Sequence, residues 1–290
     1  MNKIRVILEL VKFEHTLFAL PFAYLGAWLA AAGPPSPKVG LLILAAMVGA
    51  RTAAMAFNRI VDARIDALNP RTAGRPLPSG RLSLITAWTI CLLAGAGFFW
   101  ASGTLNPLAL ILSPLALGVV LGYSYTKRFT AASHLILGLA LAIAPLGGWI
   151  AVRGELNGLP LFLGAGVLFW VAGFDVLYAC QDEAFDRRYG LHSIPARWGA
   201  PLAFRVAGFF HFLAFLLFAL VGRLADLGGF YFVGLLLVFI FLFLEHLIIS
   251  PQDLSRLQTA FFSLNGAVSN VLFLATWLEF RGGRLLIGQY

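Results

Sequence analysis

The sequence predicts an all-α integral membrane protein with about nine transmembrane helices. Of its 290 residues, 60% are hydrophobic and only 12% are charged, and the mean hydropathy is +0.87. This composition is typical of polytopic membrane proteins and excludes an ordinary soluble domain. The apolar runs are roughly 17–22 residues long and do not alternate with polar residues, so helices are the expected spanning elements. We expect residues 1–290 to form a single domain.

Each expected span is an apolar run, and Gly/Pro-rich segments such as 33–37 and 78–80 separate several of them. The runs cover roughly residues 15–32, 40–57, 86–102, 106–122, 133–152, 158–179, 202–222, 228–248 and 259–279. The first run follows Lys3, Arg5 and Lys12 and ends in small residues, so it resembles a signal peptide. Because it is long and other spans follow, we expect it to be retained as the first helix.

The net charge of +8 reflects membrane orientation rather than nucleic-acid binding, because the basic residues lie in short loops between apolar runs. About 15 of the 21 Lys and Arg residues fall on one side of the predicted membrane and about five on the other. The positive-inside rule then predicts that the N-terminus and the basic loops on its side of the membrane are cytoplasmic. Cys91 and Cys180 both lie in apolar runs and indicate neither a disulfide framework nor a metal site.

Two acidic motifs lie at matching ends of the second and sixth spans. Asn58, Asp62 and Asp66 follow one another at steps of four, and Asp182 and Asp186 repeat this step later in the chain. Such spacing predicts that each motif lies on one face of one helix. Spans two and six run in the same direction, so both motifs emerge on the same side. Acids beside a membrane segment are costly, which makes them candidates for function.

Two facing columns of carboxylates could hold Mg²⁺ and, through it, a diphosphate, because Mg²⁺ prefers a few carboxylates together with phosphate oxygens and water. Basic side chains could neutralise the remaining phosphate charge. The available cations are Arg71, Arg75, Lys127, Arg128 and Arg187. Arg51 lies seven residues before Asn58 and roughly on the same helix face, deeper in the predicted span.

These motifs resemble the signatures of UbiA-type intramembrane prenyltransferases. The first signature is similar to Asn58-x3-Asp62-x3-Asp66 with the loop Asn69-Pro-Arg71-Thr-Ala-Gly-Arg75. The middle motif is similar to Tyr123-Ser-Tyr125-Thr-Lys127-Arg128, and the second signature to Asp175-x2-Tyr178-Ala-x-Gln181-Asp182-x3-Asp186. The resemblance runs over most of the chain, from residues 12–15 to residues 265–266.

The resemblance implies that the nine helices surround a central cavity closed by cytoplasmic cap loops. It also implies transfer of a prenyl chain from a polyprenyl diphosphate to an acceptor, with Mg²⁺ as the cofactor and the lipid bilayer as the setting. The implied metal ligands are Asn58, Asp62, Asp66, Asp182 and Asp186. The implied diphosphate-binding residues are Arg71, Arg75, Lys127 and Arg128, with Tyr123 and Tyr178 beside them. Arg51 matches a position associated with the carboxylate of an aromatic acid acceptor. Asp175 is a candidate base for removing the ring proton; alternatively, it orients Tyr178 or a metal-bound water.

One departure from the family motif narrows the range of acceptor molecules. Many family members have Asn-Asp where this chain has Asn58-Arg59, and its form is most similar to bacterial 4-hydroxybenzoate polyprenyltransferases. It is also similar to their relatives in the futalosine route to menaquinone, which use a dihydroxynaphthoate. We therefore expect a bacterial plasma-membrane enzyme of ubiquinone or menaquinone biosynthesis.

Three alternatives remain: a cation-coupled transporter using the same carboxylates, a haem O synthase-like prenyltransferase and a membrane scaffold. The clustering of the acids at one membrane face argues against the transporter, whose acids would more often lie near the midplane. A scaffold does not explain two matched motifs. Arg51 and the Asn58-Arg59 pair point away from haem O synthase.

Overall fold

The computed structural model describes residues 3–11 and 16–287, and within these ranges the chain is helical throughout apart from its connecting loops. The helices are α1 (Lys3–Val11), α2 (Thr16–Ala31), α3 (Pro37–Leu68), α4 (Leu84–Leu105), α5 (Pro107–Thr126), α6 (Ser133–Arg153), α7 (Gly158–Ala179), α8 (Glu183–Arg188), α9 (Ile194–Trp198), α10 (Ala200–Leu224), α11 (Gly229–Ile248), α12 (Leu257–Thr259) and α13 (Asn265–Ile287). A 3₁₀ turn, Cys180–Asp182, separates α7 from α8, and a π-helical turn, Ala260–Leu264, precedes α13.

The predicted fold class is confirmed. Seven of the described helices are long and apolar enough to cross a bilayer, and Phe18–Ala31 is a shorter apolar helix. Each of the nine predicted spans corresponds to one helix in the described ranges, namely α2 to α7, α10, α11 and α13. The segment 12–15, which carries the start of the family resemblance, lies outside the described residues.

The second span is longer than its apolar run predicts. The run ends at about residue 57, whereas α3 continues to Leu68 and has 32 residues. Such a helix is about 48 Å long at 1.5 Å per residue. The hydrocarbon core of a bilayer is about 30 Å thick, so the last turns of α3 extend beyond it. These turns carry the first acidic motif.

Polar side chains at the loop ends fix where several helices begin. The Ser36 side chain accepts a hydrogen bond from the Val39 amide and caps α3, and Ser83 caps α4 in the same way. Asn106 caps α5 through the Ala109 amide at 2.9 Å. These side chains satisfy amides that have no partner within their own helix.

Glycines bring α2 and α6 into close contact. A Cβ atom added at Gly26 would collide with the carbonyl oxygen of Pro145, and one at Gly148 would collide with that of Ala23. Small residues allow such close backbone approach between membrane helices, where burial of apolar surface gives little driving force. This contact fixes α6, which forms one wall of the cavity described below.

A large aromatic core holds α7 in place. Trp170 on α7 packs against Phe22 on α2 with ring centroids 5.2 Å apart, and Phe22 stacks on Phe218 of α10 at 5.7 Å. The fully buried Tyr231 donates a hydrogen bond from its hydroxyl to the Phe218 carbonyl at 2.8 Å. The core therefore anchors the middle of α7, whose final turns line the cavity.

Candidate active site

A polar cavity of about 590 Å³ lies at the end of the molecule where α3 and α7 terminate. It gathers nearly all the residues that the sequence predicts for the site. Those lining it are Arg51, Asn58, Asp62, Asp66, Arg71, Arg75, Tyr123, Lys127, Arg128, Asp175, Tyr178 and Asp182. Two are missing from the lining: Asp186, which is fully buried, and Arg187.

The first acidic motif lies on one uninterrupted helix, as its spacing predicts. The Asn58 amide donates to Asp62 Oδ2 at 3.0 Å, one helical turn away. Arg128 Nη2 donates to Asp62 Oδ1 at 3.1 Å and to the Val61 carbonyl at 2.7 Å. Asp62 is therefore held between its own helix and the loop that follows α5.

One turn further along α3, Asp66 is held by the loop that follows the helix. Arg75 Nη1 lies 2.7 Å from both carboxylate oxygens, and the Thr72 hydroxyl donates to the Asp66 carbonyl at 2.9 Å. Arg59 Nη1 lies 4.0 Å from Asp66 Oδ2. Arg59 is only 6% exposed, so the residue that replaces an acid in the motif is a buried cation at the site. From the sequence it could be interpreted only as a membrane-orientation charge.

The second motif does not form the single continuous helix that its spacing predicts. The α-helix ends at Ala179, and Asp182 belongs to the 3₁₀ turn that follows. Arg71 binds Asp182 with two hydrogen bonds, of 3.0 Å from Nε and 2.5 Å from Nη2. Asn69 also donates to Asp182 Oδ1 at 3.1 Å. Burial alone would lower the pKa of Arg71, but its hydrogen bonds and charge interaction with Asp182 outweigh burial and raise it.

Asp186 lies beyond this break, on the short helix α8, and does not line the cavity. Lys127 Nζ lies 2.8 Å from its Oδ1, although not in hydrogen-bond geometry, and the Ser193 hydroxyl donates to its Oδ2 at 2.9 Å. Arg187, the fifth candidate cation, is also directed elsewhere. It pairs with Glu183 at 2.8 Å, and its side chain is 60% exposed outside the cavity lining.

Asp175 lies deeper in the cavity and has a partner that the sequence did not predict. Its Oδ2 is 2.7 Å from Nδ1 of His134, the second residue of α6. The other ring nitrogen of His134, Nε2, accepts a hydrogen bond from the Ile194 amide at 3.2 Å. The pairing joins residues 41 positions apart, so only the fold brings it together.

Arg51 marks the inner boundary of the polar cavity. It also lines a second cavity of about 460 Å³, whose walls are almost entirely apolar side chains of α3, α5 and α6. Tyr123, Leu137 and Leu141 line both cavities as well. The Nε atom of Arg51 is buried and has no hydrogen-bond partner within the described part of the chain. A buried guanidinium nitrogen without a partner is costly, so an anionic ligand would stabilise it.

The four predicted metal carboxylates share a common feature: each pairs with a different one of the four predicted diphosphate cations. The pairs are Asp62 with Arg128, Asp66 with Arg75, Asp182 with Arg71 and Asp186 with Lys127. Across the described residues, no three acids, histidines or cysteines form a cage that could hold a metal ion by themselves. Mg²⁺ commonly binds through one or two carboxylates together with substrate phosphates. The oxygen donors on this cavity fit that mode of binding.

Comparison with known proteins agrees with the motifs and the fold. The family model of the UbiA prenyltransferase family matches residues 19–268. A 4-hydroxybenzoate octaprenyltransferase from Shewanella pealeana is 28% identical over 282 residues, which cover 96% of this chain and 97% of that protein.

Solved structures give the same result. The apo structure of a UbiA homolog from Aeropyrum pernix K1 has a TM-score of 0.82 and 37% identity, covering 96% of this chain and 98% of that one. A UbiA homolog from Archaeoglobus fulgidus bound to DMAPP and Mg²⁺ has a TM-score of 0.74 at 18% identity, covering 95% and 99%. At that identity the likeness concerns the fold alone. The chain belongs to the UbiA prenyltransferase family and is a multi-pass integral membrane protein.

Proposed function

We propose that the protein transfers a polyprenyl group from a polyprenyl diphosphate to a hydroxylated aromatic acid, with Mg²⁺, in ubiquinone or menaquinone biosynthesis. The acceptor is 4-hydroxybenzoate or a similar acid such as 1,4-dihydroxy-6-naphthoate. The observation that carries this proposal is the set of four carboxylate–cation pairs around one cavity that adjoins an apolar cavity. The whole chain acts as one catalytic domain.

When the diphosphate binds, each of the four basic side chains releases its paired carboxylate and binds phosphate oxygens instead. Arg71 uses two parallel hydrogen bonds on Asp182, and this fork suits two phosphate oxygens equally well. Arg75 and Lys127 provide further positive charge, and their side chains are 24% and 39% exposed, so they can reach a ligand in the cavity. The exchange frees the carboxylates of the two motifs.

Asn58, Asp62, Asp66, Asp182 and Asp186 would hold the Mg²⁺ that accompanies the diphosphate. Bound there, Mg²⁺ supplies Lewis-acid stabilisation of the charge that develops on the leaving group. The chain's own contribution is to place the fixed positive charge of Arg71, Arg75, Lys127 and Arg128 around the same oxygens, the logic of an oxyanion hole.

The apolar cavity holds the first part of the prenyl chain. It is lined by small and aliphatic residues and touches the polar cavity at Arg51 and Tyr123. Leu115 and Leu139 lie on its rim and are 66% and 45% exposed on the outer surface of the molecule. A long chain can therefore continue from this rim into the lipid bilayer.

The acceptor binds between the diphosphate and the apolar cavity. Arg51 precedes Asn58 by seven residues on α3, and Asp175 precedes Asp182 by seven residues near the end of α7. Each therefore lies about 10 Å deeper than its acidic motif. Tyr123 is within electrostatic reach of both. Arg51 binds the acceptor carboxylate, a role that agrees with its unpaired Nε and with the named activity of the Shewanella relative.

The reaction breaks the allylic C–O bond, and its electron pair leaves with the diphosphate. The ring carbon ortho to the hydroxyl supplies the electrons for the new C–C bond to the prenyl chain. Asp175 then accepts the proton from that carbon, and the C–H electrons restore the aromatic ring. The closely packed core around α2, α7 and α10 helps keep water from the reactive chain end.

Membership of a prenyltransferase family leaves no support for the transporter and scaffold alternatives. The charge distribution supports a plasma-membrane location in a bacterium, with the N-terminus and the cavity loops in the cytoplasm. Diphosphate binding requires positive charge next to the acids that hold the metal. The arginines and the lysine that pair with these acids at one end of the molecule supply that charge.

The experiment is an assay of the purified protein in lipid with Mg²⁺ and polyprenyl diphosphates of several lengths. Parallel reactions contain 4-hydroxybenzoate or 1,4-dihydroxy-6-naphthoate, and products are identified by mass spectrometry. We expect a C-prenylated product from one of the two acids. The absence of product with both acids, from folded protein, would refute the proposed acceptor class.

A further inference from the structure

We propose that His134 is a positioning residue that fixes Asp175 as the base for the ring proton. The proposal rests on the proposed function, since it concerns the last step of that reaction. It adds a residue that lies outside both acidic motifs, and the contacts of its two ring nitrogens define its tautomer.

The backbone amide of Ile194 can only donate a hydrogen bond. It points at His134 Nε2 from 3.2 Å, so Nε2 is the accepting nitrogen. In a neutral imidazole the other nitrogen, Nδ1, then carries the proton. Nδ1 lies 2.7 Å from Asp175 Oδ2 and donates to it. The backbone of one loop thus determines which nitrogen of His134 faces the carboxylate.

Burial holds the His134 side of this pair in place and leaves the Asp175 side open to the cavity. The His134 side chain is 4% exposed, whereas that of Asp175 is 26% exposed and lines the cavity. With Oδ2 occupied by His134, Oδ1 of Asp175 has no hydrogen-bond partner among the residues that the structure describes, and it is the oxygen left to accept a proton. A base must lie within hydrogen-bond reach of the proton that it removes, and a fixed carboxylate meets this need better than a rotating one.

The same geometry argues against a proton relay through His134. A relay would require Nε2 to release a proton toward solvent, but this nitrogen already accepts the Ile194 amide. Asp175 therefore keeps the ring proton until product leaves. His134 acts through Asp175 and does not contact the acceptor itself.

The loop that orients His134 also contacts the second acidic motif. Ser193, adjacent to Ile194, donates to Asp186 Oδ2 at 2.9 Å, and the His192 amide donates to the Lys127 carbonyl at 2.7 Å. One short segment therefore supports both the diphosphate end and the base end of the cavity. Only the Ser193 contact uses a side chain of this segment, whereas His192 and Ile194 donate through backbone amides. The support of Asp186 can therefore be removed at Ser193, and that of Asp175 at His134.

The test measures two steps separately: ionisation of the allylic C–O bond and removal of the ring proton. It uses the full-length protein in lipid. Ionisation is followed by scrambling of ¹⁸O from the bridging to the non-bridging positions of geranyl diphosphate. Proton removal is followed by the rate of product formation with acceptor that is protonated or deuterated at the carbon ortho to its hydroxyl. The variants are His134→Leu, His134→Asn, Asp175→Asn and the double variant His134→Leu/Asp175→Asn.

In His134→Leu we expect product formation to fall about 10–100-fold, because a positioned base contributes about 10²–10⁴-fold and the carboxylate itself remains. Isotope scrambling should stay within about twofold of wild type, since ionisation does not use this pair. A deuterium isotope effect larger than that of wild type should appear. His134→Asn retains an N–H donor near Asp175 and should recover part of the rate. His134→Leu should add little to the loss caused by Asp175→Asn.

His192→Leu is the matched control, because it removes an exposed histidine from the same loop and should change neither readout. Equal losses of scrambling and product in His134→Leu, or independent losses in the double variant, would overturn the proposal. An unchanged rate without an isotope effect would also overturn it. If His134→Leu does not fold, His134→Asn is used alone: a smaller loss of product with unchanged scrambling supports the proposal, and equal losses of the two overturn it. A wild-type protein without scrambling or product would instead refute the proposed function.

Discussion

The two acidic motifs have the same spacing but different architecture. Asn58, Asp62 and Asp66 lie on one continuous helix that extends beyond the expected bilayer core, whereas the second motif is split by a 3₁₀ turn. As a result, Asp62 and Asp66 both line the cavity, but of the second pair only Asp182 does so. Equal sequence spacing therefore does not imply equal access to a ligand.

The difference follows from what surrounds each motif. The first motif faces loop arginines that reach it from outside its helix. The second is tied to two other segments, because Asp182 binds the Asn69–Arg71 loop and Asp186 binds Ser193. We infer that the first motif is ready to bind a metal, whereas Asp186 must turn toward the cavity before it can contribute. The predictions below follow from this asymmetry.

The largest effect is expected for the acids that line the cavity. Asp62→Asn and Asp182→Asn should each lower prenyl transfer by about 10²–10³-fold or more, the loss typical of removing one preorganised electrostatic group. Product formation measured by mass spectrometry, with size-exclusion chromatography as a check of folding, tests this. Asp253→Asn is the control, because Asp253 lies in an exposed turn. Wild-type rates in both site variants would eliminate these acids as metal ligands.

An intermediate effect is expected at the loop arginine that bridges the motifs. Arg71→Lys keeps the charge but loses the two-pronged contact with Asp182, so the KM for the prenyl diphosphate should rise about tenfold. Steady-state kinetics at saturating acceptor give this value. Arg81→Lys serves as a comparison, because Arg81 binds Glu9 in a similar two-pronged way on the same loop. A larger KM change in Arg81→Lys than in Arg71→Lys would contradict the assignment.

A smaller effect should appear when Asp186 is released from its buried position. Ser193→Ala removes the hydrogen bond to Oδ2 and leaves Lys127 in place. Because the freed carboxylate can turn toward the cavity more easily, we expect the Mg²⁺ concentration for half-maximal rate to fall by about two- to threefold, the equivalent of roughly 0.5 kcal/mol. A magnesium titration of the rate measures it. A rise in that concentration would mean that Ser193 holds Asp186 in its active position.

The smallest effect is expected at Arg187, which the sequence offered as a phosphate-binding cation and the structure places outside the cavity lining. Its pair with Glu183 is an exposed contact between residues four apart, and such pairs contribute about 0.2–0.5 kcal/mol. Arg187→Gln should therefore leave both kinetic constants within about twofold of wild type. A tenfold increase in the KM for prenyl diphosphate would show that Arg187 reaches the substrate.

Much of the fold and the site could be predicted because their signals are local. Apolar runs predicted the spans, and the four-residue steps from Asn58 to Asp66 predicted one helix face. The second motif was predicted less well, since no residue type in Cys180–Asp182 marks a change from α-helix to 3₁₀ turn. Arg59 was missed because a basic residue near a helix end is usually a solvated charge, whereas here it packs beside Asp66.

The contacts that the sequence could not predict join distant segments. His134 and Ser193 carry no motif of their own, and their functional partners are fixed by how α6, α7 and the α8–α9 loop pack together. The position of His134 at the start of a span, close to the middle motif, was the available signal. It could not identify Asp175 as the partner.

The central claim is that both motifs serve a single Mg²⁺–diphosphate unit. The most direct measurement is the kcat/KM for prenyl transfer in wild type, Asp62→Asn, Asp182→Asn and the double variant, with Mg²⁺ and with a chelator. Groups that act as one unit give strongly non-additive losses. We therefore predict no product with the chelator. We also predict that the kcat/KM of the double variant is only slightly lower than that of the more impaired single variant. Product formation without Mg²⁺, or losses that multiply in the double variant, would contradict the claim.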